Sequence, residues 1–159
     1  MSQLARELKQ ARPFRSPVQE AMLGIWRTAA LLELRMAEVL RPFALTPTQY
    51  NVLRILYGAG DEGLPRCEVQ ARLVAPVADT TRLLDRLVRQ GLVTRLRSDE
   101  DRRIVTSRIT PRGRAVLDRA GPALRELEAS EMGRIPAARL QALIKTLDEV
   151  RRLTPIRRT

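Results

Sequence analysis

The chain has no histidine, and its 159 residues include one cysteine, Cys67. A zinc site built from Cys and His ligands therefore cannot be assembled within one chain. Neither can a Ser-His-Asp triad or a Cys–His pair. An intrachain disulfide is excluded, which fits a reducing compartment. Lysine is also scarce: Lys9 and Lys145 are the only two. No apolar run approaches the roughly 20 residues a membrane span needs. The opening residues, MSQLARELKQARPFRS, lack the apolar stretch of a secretory signal. These absences lead to the expectation of a cytoplasmic protein with no cofactor, no metal, no membrane partner and no enzymatic activity.

What is present is arginine. Net charge is +11, and nearly all of the 29 basic residues are arginine. Its planar fork fits phosphates and guanine edges bidentately. A basic domain of this kind is a footprint of nucleic-acid binding. General solubility and attraction to an anionic membrane surface are the competing readings.

The pattern along the chain is mainly α with a small β-hairpin. Residues 1–15 are polar and basic and read as a flexible extension, although Leu4 and Leu8 lie one helical turn apart. Ser16-Pro17-Val18-Gln19 is a capping box with proline at the first helical position. After it, Val18, Met22, Ile25, Ala29, Leu32, Met36 and Val39 step by four and three, a heptad-like stripe. Leu23, Trp26, Leu31 and Leu34 widen that stripe. Such a helix packs inside the monomer or is shared with a second copy. Pro42 ends it. Thr46-Pro47-Thr48-Gln49 starts a second helix, closed by Gly58 and Gly60.

A short third helix is expected over Leu64–Leu73, and a fourth from about Pro76 to Gln90 with Gly91 as its stop. Leu83, Leu84, Leu87 and Val88 form its apolar face. Leu92–Arg97 alternates as a half-buried strand should, and Ile104–Thr110 does so less cleanly. Thr110-Pro111 begins another helix, with a kink or break expected at Gly121-Pro122. Pro136–Leu153 is a last amphipathic helix.

Two short helices followed by a hairpin make a winged helix-turn-helix lobe. In that motif the second helix enters the major groove by its N-terminal residues. Here these are Pro76, Val77, Ala78, Asp79, Thr80, Thr81 and Arg82. Helix amides and threonine hydroxyls suit phosphate oxygens. Arg82 lies one turn in and reads guanine or clamps the backbone. Arg86, a turn further, contacts phosphate or pairs near Asp85. Asp79 stabilises the helix dipole from the first turn, or accepts from a cytosine amino group. Arg95, Arg97 and Arg108 add charge to the hairpin. Its tip, SDEDRR, mixes acids with Arg102 and Arg103, so Asp101 can hold Arg103 in one direction. An aimed arginine at a hairpin tip suits a narrow minor groove. A solvated turn with weak ion pairs is the plainer alternative.

The stretch TTRLLDRLVRQGLVTRLRSDEDRRIVTSRITPRG resembles the MarR (multiple antibiotic resistance regulator) family of bacterial transcription factors. The matching features are Thr81-Arg82-Leu83, Leu87, Gly91-Leu92-Val93, Asp101-Arg102-Arg103, and Ile109-Thr110 before Gly113. Leu45-Thr46-Pro47, Gln49-Tyr50 and Leu53 are similar to the family's segment after its first helix. The resemblance covers roughly residues 18–152.

It implies a homodimer that binds double-stranded DNA at a pseudo-palindromic operator, as a repressor. It divides the chain into an extension (1–15), a dimerisation helix (16–45), the winged lobe (46–113) and C-terminal dimerisation helices with a tail (114–159). By position, Asp101 and Arg103 match the family's wing pair, with Arg103 in the minor groove, and Pro76 to Arg82 match the start of its recognition helix. Many members sense small aromatic or phenolic ligands. Met22, Trp26, Met36 and Tyr50 are candidate contacts for such an effector, or plain core. Cysteine sensors of the family lie near the first helix. Cys67 does not, and is expected to be buried and inert. The rival reading is a dimeric protein-interaction module that keeps the fold without specific DNA binding, suggested by the acidic wing and Asp79.

Overall fold

Three helices begin with the same device: a hydroxyl residue followed by proline at the first helical position. Proline's missing N–H is harmless there, because that donor has no partner inside a helix. In the computed structural model, which describes residues 2–97 and 105–154, all three caps form. Ser16 Oγ accepts from Gln19 N at 3.2 Å and opens α2 (Pro17–Leu40). Thr46 Oγ1 accepts from Gln49 N at 3.2 Å, while Gln49 Oε1 accepts from Thr46 N at 2.9 Å, closing a full capping box at α3 (Pro47–Gly58). Thr110 Oγ1 accepts from Gly113 N at 3.0 Å ahead of α6 (Pro111–Met132).

The N-terminal stretch carries a helix, α1 (Gln3–Glu7), capped by Ser2. Of the two readings of residues 1–15, the helical turn is the one formed there. Ala5 is buried and the Leu4 side chain lies over Gly24, the one position of α2 with no side chain to obstruct it.

The lobe itself runs α3, α4 (Arg66–Arg72), α5 (Thr80–Arg89), then β2 (Val93–Arg97) and β3 (Val105–Ile109). A third strand, β1 (Leu64–Pro65), precedes α4 and was expected to be the start of that helix. The sheet is antiparallel in the order β1-β3-β2, with Leu64 opposite Ser107 and Val93 opposite Ile109. Leu64 and Pro65 pair with β3 because Gly63 turns the chain at φ +70° and lets its backbone lie against the Ser107 carbonyl. A Cβ at Gly63 would collide with that oxygen.

Chain contacts divide the protein into two units, Met1–Pro122 and Ala123–Thr159, with α6 running through the boundary. The core of the first unit is aliphatic: Leu40, Val52, Leu53, Leu56, Val69, Leu84, Leu87 and Val93 are almost fully buried. In the second unit, α7 (Ala137–Leu153) has no fully buried residue. Of the kink or break expected at Gly121-Pro122, the break does not occur, since α6 continues through Pro122 to Met132. Proline there removes one backbone bond, and the turns on either side retain theirs. Among the described residues, no helix is long and apolar enough to cross a membrane.

Candidate nucleic-acid interface

The recognition helix is positioned from both ends. Asn51 on α3 accepts from Val74 N at 2.9 Å and fixes the turn after α4. The chain bends at Val74, Ala75 and Ala78 before it reaches Asp79, whose extended φ of −146° and ψ of 91° make it the N-cap. Helix α5 thus begins at Thr80, not at Pro76. Pro76, Val77 and Ala78 lie in the approaching loop. Asp79 Oδ1 accepts from Arg82 N at 3.0 Å, so the acid satisfies a helix-end donor directly. Asp79 is therefore the N-cap of α5 and not, as expected, a residue within its first turn. At the far end, Gly91 takes φ +69° and Leu92 N reaches back to Leu87 O at 3.0 Å. Gln90 is held by the buried Gln49, whose Nε2 donates to its Oε1 at 3.2 Å.

These anchors decide which face of α5 is presented. Thr80, Leu84 and Leu87 point into the core. Leu83 is half-buried, while Thr81, Arg82, Arg86 and Arg89 are exposed. The Arg82 side chain is 88% exposed, and its Nε lies 3.1 Å from Asp79 Oδ2. Arg82, Arg86 and Arg89 also line a groove of about 610 Å³ that reaches Thr46 and Thr48 at the start of α3. Basic side chains on an exposed helix face, beside a second helix N-terminus, form an electrostatic seat for a polyanion.

The hairpin is tied to this helix. Asp85 on α5 pairs with Arg95 on β2, Oδ1 to Nη1, at 2.8 Å. The Asp85 carboxylate thus balances the charge that Arg95 adds to the hairpin. Arg108 on β3 is half-buried over Gly63, and its Nε has no hydrogen-bond partner among the described residues. Arg97 ends β2. Asp101, Arg102 and Arg103 lie outside the described residues. Arg114 bridges to Asp61 at 2.8 Å and stacks over Tyr57.

Two other expectations change. Cys67 is exposed, not buried. Helix α4 buries only Val69, and Cys67 two residues earlier falls on a different face, beside a groove with Pro65, Thr81 and Arg95. The four candidate effector contacts do not come together in one chain. Met22 is exposed, Trp26 is 75% exposed, and Met36 and Tyr50 are half-buried. Met22 and Met36 lie on the same helix about 21 Å apart, at 1.5 Å of rise per residue.

The spacing Asp79-x-x-Arg82 was visible in the sequence, but its meaning depended on where α5 begins. The Asp85–Arg95 bridge and the Asn51 brace gave no local signal.

The sequence profile of the MarR family matches residues 45–105, the stretch that contains α3, α4, α5 and β2. The homoprotocatechuate degradative operon repressor of Escherichia coli is 30% identical over 128 residues, covering 77% of this chain and 85% of the repressor. The chain belongs to the MarR family. An HTH-type transcriptional regulator of Bacillus subtilis, YsmB, is 32% identical over 89 residues, or 56% of this chain. That match spans 60% of YsmB's length. A MarR transcription factor from Planctomyces limnophilus has the same fold, with a TM-score of 0.65 at 34% identity over 86% of this chain and 98% of that one. The lobe of this MarR-family chain is thus a winged helix-turn-helix, and its relatives are regulators of transcription.

Proposed function

We propose that this MarR-family chain represses transcription by binding, as a homodimer, to a pseudo-palindromic DNA site. The observation that carries the reading is the division of α5: its apolar side is locked into the core, and Arg82, Arg86 and Arg89 face outward beside the α3 N-terminus. Pro76, Thr80 and Thr81 sit at the same end of the helix. Thr80 is buried there, so its part is structural, while Thr81 is open to a phosphate. Arg95 and Arg97 on β2 belong to the same proposed set, with Asp101, Arg102 and Arg103, which lie outside the described residues. Two-fold symmetry would space two recognition helices by about 34 Å, one turn of DNA.

The exposed side of α2 supports the homodimer. Val18, Met22, Ile25, Trp26 and Leu34 are all open in a single chain. Contiguous exposed apolar side chains of this kind mark an interaction surface. Trp26, the sole tryptophan, supplies a direct readout. Its emission should be blue-shifted and shielded from iodide in the dimer, and should shift red on dilution. A chain that sediments as a monomer at micromolar concentration would refute the assembly.

A gel-shift assay with the DNA upstream of the chain's own coding region tests the whole reading. Binding should weaken steeply as salt rises, and Arg103→Ala should reduce affinity and lower the salt slope by about one. Absence of any shift at low salt, with the dimer intact, would favour the protein-interaction module. That rival rests on the acidic wing and on Asp79, and of these Asp79 is occupied as a helix cap.

Release by a small aromatic or phenolic effector completes the proposal. Its support is kinship with a repressor of a homoprotocatechuate degradative operon, homoprotocatechuate being an aromatic acid. Met22, Trp26, Met36 and Tyr50 are its candidate contacts, and phenolic acids titrated into the gel shift test it.

A further inference from the structure

The reading helix opens with a carboxylate, which the phosphates of DNA repel. Its geometry gives it a task that a neutral cap could not perform. We propose that Asp79 determines sequence specificity by aiming the Arg82 guanidinium at a guanine edge. The inference rests on the DNA-binding reading above and deepens it.

One carboxylate is fastened to one residue at two points. Asp79 Oδ1 takes the backbone N–H of Arg82 at 3.0 Å, and Oδ2 lies 3.1 Å from its Nε. The first bond fixes the carboxylate relative to the helix axis. The second fixes the guanidinium relative to the carboxylate. An otherwise free arginine, 88% exposed, is thereby restricted in direction. With Nε engaged, the edge formed by Nη1 and Nη2 is turned away from Asp79. That edge carries two parallel donors, the pattern that matches guanine O6 and N7. The acid also offsets the local positive charge, so Arg82 adds little to indiscriminate phosphate attraction. Among the described residues Arg86 and Arg89 have no such acidic partner, and in this proposal they serve the DNA backbone.

Asp79→Asn isolates the aiming role. Asparagine caps a helix about as well as aspartate. It has a single acceptor oxygen, which the cap uses, and its NH2 group cannot accept from Nε. Wild type, Asp79→Asn and Arg82→Ala would each select binding sites from a randomised DNA library at one fixed salt concentration. Melting temperature would be followed in parallel. Wild type should favour guanine at one position per half-site, by about tenfold over other bases. Arg82→Ala should abolish that preference. Asp79→Asn should lose most of it, with an unchanged melting temperature and equal or higher affinity for unrelated DNA.

If Asp79 acted only through its charge, Asp79→Asn would raise affinity for every sequence alike and leave the guanine preference intact, and that result overturns the proposal. So does an Arg82→Ala variant that selects the wild-type sequence. If wild type binds no DNA at all, the DNA-binding reading fails first and takes this one with it.

Discussion

Severing the bridge between Asp85 and Arg95 tests whether the recognition helix and the wing act as one body. The two groups meet at 2.8 Å, with side chains 38% and 34% exposed. Water reaches both, so the bridge belongs near the upper end of the surface range, about 0.5–1 kcal/mol. Neither charge is stranded in an apolar interior when its partner is removed, so the larger penalty of a buried orphan does not apply. Each single change, Asp85→Ala or Arg95→Ala, should lower the melting temperature by about 1–4 °C. Urea unfolding of wild type, both singles and the double variant gives the coupling directly. Protein concentration must be held constant, because a dimer's stability depends on it. The coupling should be about 0.5–1 kcal/mol at low salt and should largely vanish near 1 M salt, where screening acts within about 3 Å. Additivity of the two single changes to within about 0.3 kcal/mol at low salt would refute the bridge as a brace. So would a coupling that salt does not change.

Other expected outcomes follow from burial and backbone shape. Leu87→Ala removes a fully buried side chain from α5 and should cost about 2–5 kcal/mol in urea unfolding. Gly63→Ala forces a side chain onto φ +70° and against the Ser107 carbonyl, and should cost at least about 1–3 kcal/mol, seen as a lowered melting temperature. Cys67 should react with a chromogenic disulfide reagent in the native protein, one thiol per chain, and a thiol that reacts only after unfolding would contradict its exposure. Gln49→Ala breaks both the α3 capping box and the tie to Gln90, and should cost about 1–2 kcal/mol in urea unfolding.

The starts of α2, α3 and α6 and the two hairpin strands were legible because each is written in neighbouring residues. Ser16-Pro17, Thr46-Pro47 and Thr110-Pro111 state where a helix begins, and the caps form as the spacing requires. The alternation of Leu92–Arg97 likewise gives β2. The order of these elements was enough to place a winged helix-turn-helix within the chain.

Other features depended on groups far apart in sequence. Strand β1 is two residues long, too short to show a period, and exists because β3 pairs with it. Asp79 is a cap because α5 begins at Thr80, after a loop whose first residue, Val74, donates to Asn51 many residues earlier. The face of α4 that packs inward decides that Cys67 is open. Residues sharing one helix face do not thereby share one pocket, as Met22 and Met36 show. Local propensity and capping act over three or four residues, and these set the elements. Burial, strand partnership and the aim of a charged side chain are settled only when distant segments compete for the same space, and that competition is what the tertiary structure decides.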